Sequence, residues 1–193
     1  MEIYLSAKEK KILLKQARET ITAEMESRRP EYSEPISKDS NLSYHCGAFV
    51  SLYLINERVD FRRRVLRGCI GNLTANMPLI ETVRVVAKEA AFGDPRFLPL
   101  KKHELDRSLI EISVISPMTF CHDPAYVKVG VHGLYIKNRG RSGVFLPQVP
   151  VEQGWNLTQY FENLCIKAGL PSLAYKALDT EIYTFTAVVF DEE

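Results

Sequence analysis

The run Leu66-Arg67-Gly68-Cys69-Ile70-Gly71 sets a thiol two residues from a guanidinium, with a glycine on either side of the cysteine stretch. On an extended strand residues two apart leave the same face about 7 Å from one another, which predicts that Arg67 and Cys69 share a face while Leu66 and Ile70 turn away. At that separation the pair attracts by about 0.6 kcal/mol in water and about 2.4 kcal/mol at an effective dielectric of 20. The expectation is a thiol acidified by Arg67 and usable as a nucleophile at neutral pH. Gly68 and Gly71 leave room for a ligand or another backbone to come close. The same residues also describe a buried cysteine packed as a small hydrophobe beside a strand irregularity.

A nucleophile needs a base, and His132, between Val131 and Gly133, is the best placed of the four histidines. It would have to meet Cys69 across a junction between two halves of the chain; the alternative is a hydrogen-bonded turn histidine. Glu111, between Ile110 and Ile112, is placed either to orient a histidine or hold a ligand cation, or to pair with an arginine. In Asp94-Pro95-Arg96-Phe97, Asp94 can close a turn and Arg96 can pair with a carboxylate, and a fixed guanidinium there also suits an anionic substrate. Catalytic candidates are therefore Cys69, His132 and Glu111, and ligand-binding candidates are Arg67, Gly68, Gly71, Asp94 and Arg96.

Other clusters point elsewhere. Cys121-His122-Asp123 and His45-Cys46 hold metal-ligand types, but neighbours on an extended chain face opposite ways, so no metal site is expected. Arg62-Arg63-Arg64 and Lys137, Arg139 and Arg141 are basic without interleaved aromatics, which suits solvated faces better than nucleic acid. With 25 Lys and Arg against 24 Asp and Glu, the chain has no general field for nucleic acid or an anionic membrane. Four scattered cysteines make no disulfide framework in 193 residues. No apolar run approaches the roughly 20 residues of a membrane span, so the expected compartment is the cytoplasm.

The elements that must position these residues can be read in order. Ser6 and Glu9 form a capping box for a helix carrying Leu13, Ala17, Ile21 and Met25, ending before Pro30. A polar arm leads to strands over 47–55 and 65–70, then a helix led by Pro78 and ended at Gly93, a short helix near His103 to Arg107, and a strand over 109–116. A hairpin around Arg139-Gly140, a helix capped by Asn156, a short helix over 172–178 and one long final strand from Thr180 to Phe190 repeat that order. This gives an α+β fold of two strand-strand-helix-strand units in a single domain, with an N-terminal helix and arm over 1–46, a first repeat over 47–117 and a second over 118–193.

Seven blocks carry a resemblance. Gly47-Ala48-Phe49-Val50, Leu66 to Gly71, Asp94 to Phe97, Ile112 to Pro117, Gly130 to Leu134, Phe145 to Val149 and Lys167 to Leu170 resemble, in the same order, segments of the AMMECR family. The resemblance implies a duplicated unit with a strongly curved, partly barrel-like mixed sheet flanked by helices. It carries no assigned reaction and leaves the cofactor unknown, but associates prokaryotic members with a radical-SAM protein and a Memo-type protein. The resulting expectation is a cytoplasmic enzyme or enzyme component with a cleft near Cys69 for a small anionic or aromatic molecule. The alternatives are a non-catalytic protein-binding or adaptor module, and behind it a nucleic-acid binder.

Overall fold

A computed structural model describes residues 3–32, 40–55, 64–74 and 76–192. Helix α1 (Ala7–Met25) begins as its sequence dictates: the Glu9 amide donates to the Ser6 hydroxyl, and the Ser6 amide donates to the Glu9 carboxylate at 2.9 Å. Strands β1 (Gly47–Ile55) and β2 (Arg64–Asn72), helices α2 (Leu79–Phe92) and α3 (Lys102–Leu105) and strand β3 (Ser108–Ile115) follow. After them come β4 (Thr119–Phe120), β5 (Gly133–Asn138), β6 (Arg141–Phe145), α4 (Gln148–Glu152), α5 (Leu157–Lys167), β7 (Glu181–Phe185) and β8 (Ala187–Asp191). Arg62, Arg63 and most of the arm after α1 lie outside the described residues.

The strands form two sheets, ordered β2-β1-β3-β8 and β4-β7-β5-β6. The first belongs to a unit spanning Ile3–Ile115 that resumes at Val188, the second to a unit spanning Ser116–Ala187. Written from the other end, the second order is β6-β5-β7-β4, so each sheet places its first long strand between its second and third. The fourth place is exchanged: β4 follows β3 in the chain but joins β7, and β8 follows β7 but completes the first sheet.

Three expectations change here. Instead of one partly barrel-like sheet the described strands form two sheets that are not closed into a barrel, and the β1–β2, β1–β3, β4–β7, β5–β6 and β5–β7 ladders run antiparallel. The final strand is two strands in different sheets. Its alternation continues through Thr186, but there Ser116 takes both backbone groups: the Thr186 amide donates to the Ser116 hydroxyl and the Ser116 amide to the Thr186 carbonyl, each at 2.9 Å. The third is helix α4, over residues to which the sequence pattern assigns no element. A proline is tolerated in a first helical turn, where its missing N–H has no intrahelical partner.

In the first sheet, alternation sorts two faces. Ala48, Val50, Leu52, Ile110, Ile112 and Val114 are all 0% exposed and pack with Leu79, Val83 and Ala87 of α2 and Leu13, Ala17 and Ile21 of α1. Each large aliphatic side chain so buried stabilises by about 1.5–3 kcal/mol. That face fixes the register of β1 and β3, since a slip by one residue would turn every one of these side chains away from the helices. The residues between them form the opposite face, which carries the site.

Candidate functional site

Ser51 is the register partner of Cys69 on one side and of Glu111 on the other. Directly opposed residues of antiparallel strands share a face. The thiol, the hydroxyl and the carboxylate therefore form one row across three strands, on the face turned away from α1 and α2. The Ser51 hydroxyl donates to the Cys69 Sγ at 3.2 Å. The Tyr53 hydroxyl donates to Glu111 at 3.4 Å, and Arg64 lies 3.8 Å from Glu111 and 2.8 Å from Asp191 of β8. An arginine therefore stands beside Glu111, while its carboxylate stays in the row with the thiol and the hydroxyl.

Arg67 is not in that row. The β1–β2 register slips between Leu52, opposite Gly68, and Tyr53, opposite Leu66, so Arg67 is an extra residue with no partner on β1. Such a bulge breaks the two-residue alternation and re-aims side chains. Leu66 now shares the face of Tyr53, and Arg67 turns to the helix side, where its Nε and Nη2 donate to the two Glu104 carboxylate oxygens at 2.8 and 2.9 Å and Nη2 also to the Leu98 carbonyl. These bonds lower the Glu104 pKa to about 2 against the opposing effect of burial. The expected acidification of Cys69 by Arg67 is thereby corrected. Burial pushes the thiol pKa up, and what pulls it back is the Ser51 hydrogen bond and the charge of Arg96, with Asp94 and Glu111 pushing it up further.

The glycines hold no vacant space. A Cβ on Gly68 would stand 2.1 Å from the Ala90 carbonyl oxygen of α2, and one on Gly71 would stand 2.3 Å from the Phe49 ring. The room expected for a ligand is taken by a helix backbone at Gly68 and by an aromatic ring at Gly71.

Asp94 and Arg96 close the outer edge of β2. The Cys69 amide donates to Asp94 Oδ2 at 2.9 Å, and Arg96 Nη2 donates to the Cys69 carbonyl at 3.1 Å. Arg96 also donates to Asp94 through its backbone amide, Nε and Nη2. Together they satisfy an edge strand's outward backbone groups as a neighbouring strand would. The Asp94 side chain is 2% exposed, and its bonds from Arg96 hold its carboxyl well below the usual carboxylate range despite burial. The Arg96 side chain is 55% exposed, and among the described residues its Nη1 has no hydrogen-bond partner.

His132 belongs to the other unit. Its Nδ1 accepts from the Lys128 amide at 3.1 Å, so its neutral form carries the proton on Nε2, and its carbonyl accepts from Tyr160. It is a hydrogen-bonded turn histidine that lines a cavity of about 280 Å³ with Cys121, His122, Asp123 and Thr184. The hairpin cations are also matched, with Lys137 3.2 Å from Glu181 and Arg139 2.8 Å from Asp179.

Residue-level reading missed Ser51, Tyr53 and Arg64. The signal was present in β1 and β3: Phe49, Ser51 and Tyr53 interrupt a buried aliphatic series on alternate positions, as Glu111 and Ser113 do. Register then places these interruptions side by side.

The comparisons with known proteins agree with one another. Protein NEQ441 of Nanoarchaeum equitans is 35% identical over 187 residues, covering 94% of this chain and 99% of its own length. Protein MK0488 of Methanopyrus kandleri is 37% identical over 196 residues, covering 98% of this chain and 91% of its own. The crystal structure of the uncharacterised protein PH0010 from Pyrococcus horikoshii matches with a TM-score of 0.82 at 37% identity, covering 94% of this chain and 90% of that one. The AMMECR1 family profile matches residues 14–190, so the chain belongs to the AMMECR1 family.

Proposed function

We propose that the chain is an enzyme component that binds a small anionic molecule over the Cys69 row and works with a radical-SAM protein and a Memo-type protein. The observation that carries the reading is the alignment of a half-buried thiol, a hydroxyl and a carboxylate across β2, β1 and β3, with the half-exposed Arg96 at the same strand edge. Arg96 meets the anionic group of the ligand through Nη1. Cys69 serves as a neutral thiol that gives up its proton only once a ligand is bound, and Glu111 is the acid–base group of the row. Reconstitution with both partners, S-adenosylmethionine and a one-electron reductant tests this, with 5′-deoxyadenosine formation as the readout. Cys69→Ala and Glu111→Gln should each lower the stimulation contributed by this chain about 10²-fold while still binding the partners. Full stimulation by both variants would overturn the catalytic role.

Two observations favour a second reading, a protein-binding adaptor. The thiol pKa is raised and the Arg67 guanidinium is held by Glu104, which is how a structural cysteine and a structural arginine look. An adaptor should bind either partner as tightly after Cys69→Ala as before it.

A further inference from the structure

We propose that the groove between α1 and β8 is a docking site for an acidic, extended segment of a partner protein, which adds as a strand along β8. The site lies apart from the Cys69 row, with which it shares the Arg64 contact, and its argument does not rest on the reading of that row.

The groove encloses about 820 Å³ and is walled by α1 through Lys10, Lys11 and Leu14 and by β8 through Phe190. That is room for a few residues of extended chain rather than a single side chain. Strand β8 ends the order β2-β1-β3-β8, so among the described residues one of its edges has no neighbouring strand. A free strand edge pairs with an incoming peptide through main-chain hydrogen bonds, while alternate side chains of the peptide find pockets beside it. At the opposite end of the same sheet, β2 has the outward backbone groups of Cys69 taken by Asp94 and Arg96.

Charge selects the occupant. Three acids line the groove, and each already has an arginine: Arg28 stands 2.6 Å from Glu19, Arg64 2.8 Å from Asp191 and Arg18 2.5 Å from Glu192. Lys10 and Lys11 have no carboxylate partner among the described residues, and the Lys10 ammonium lies 5.7 Å from the centre of the Phe190 ring. Among the described residues the groove is therefore left with surplus positive charge beside the apolar side chains of Leu14 and Phe190. A peptide alternating acidic and apolar residues matches both, since one face of the added strand meets these side chains and its carboxylates meet the lysines. A nucleic acid would match the charge but would use neither the strand edge nor the single ring.

The test uses the whole chain and a labelled peptide of alternating glutamate and valine, followed by fluorescence anisotropy and by amide shifts in NMR. Expected are saturable binding that weakens with salt, shifts confined to α1 and β8, and a loss of at least tenfold in affinity for the Lys10→Glu, Lys11→Glu double variant. That variant should bind the corresponding lysine–valine peptide instead, which also shows that it is folded. Absence of saturable binding, affinity unchanged in the double variant, or equal binding of a single-stranded oligonucleotide of matching charge would each overturn the proposal.

Discussion

Asp94→Ala should lower stability by roughly 2–4 kcal/mol at neutral pH, because one buried carboxylate gathers the backbone amide of Cys69 and three donors of Arg96. The Arg96 guanidinium can return to water, since it is already half-exposed, which keeps the cost below that of stranding a buried charge. The Cys69 amide cannot pair elsewhere without moving the strand. A pH dependence follows with a definite sign. The Asp94 pKa is depressed in the folded chain, so its contribution is complete above the ordinary aspartate pKa of about 4 and is lost progressively as the pH falls below that value. Urea midpoints at pH 7 and pH 3 check both points: the gap between wild type and Asp94→Ala should be wide at pH 7 and narrower at pH 3. A gap that stays constant would mean that the carboxylate is not the group responsible.

Gly68→Ala is expected to cost about 3 kcal/mol or more, the upper end of what overpacking does. The added methyl would meet the Ala90 carbonyl oxygen at 2.1 Å, and a helix backbone cannot swing aside as a long side chain would. For a domain of this size the loss corresponds to a fall in Tm of about 6–12 °C. Gly140→Ala provides the contrast, since a Cβ there meets nothing within 4 Å and only its positive φ of 79° opposes the change. Thermal unfolding of both variants separates close approach from backbone strain, and the fall should be clearly larger at Gly68. Because Gly68 adjoins the bulge, its variant should also disturb the placement of Cys69.

What could be read from the sequence divides along physical lines. The capping boxes Ser6–Glu9 and Asn156–Gln159 and the turn at Arg139-Gly140 are local, with partners three residues apart or fewer, and all are present. The α+β class follows from their order. Arg67 was misplaced because a bulge exists only relative to a partner strand, and its ligand Glu104 lies 37 residues away. The break at Thr186 was invisible for the same reason, being set by Ser116 at a distance of 70 residues. Cys69 was recognisable as the centre of interest, but the groups that govern its sulfur are Ser51, from another strand, and Arg96, from a loop. Strand β4, two residues long, has no periodicity to detect.

The pH dependence of Cys69 alkylation in the native chain, resolved site by site through peptide mass mapping after brief exposure to iodoacetamide, bears most directly on the row. Cys69 should react without unfolding, with a midpoint above the ordinary thiol value of about 8.5. Ser51→Ala should move that midpoint higher, and Arg67→Met should leave it in place. A midpoint at or below 8.5, a rise on removing Arg67, or a thiol that reacts only after denaturation would contradict the reading of Cys69 as a reachable neutral thiol governed by Ser51 and Arg96.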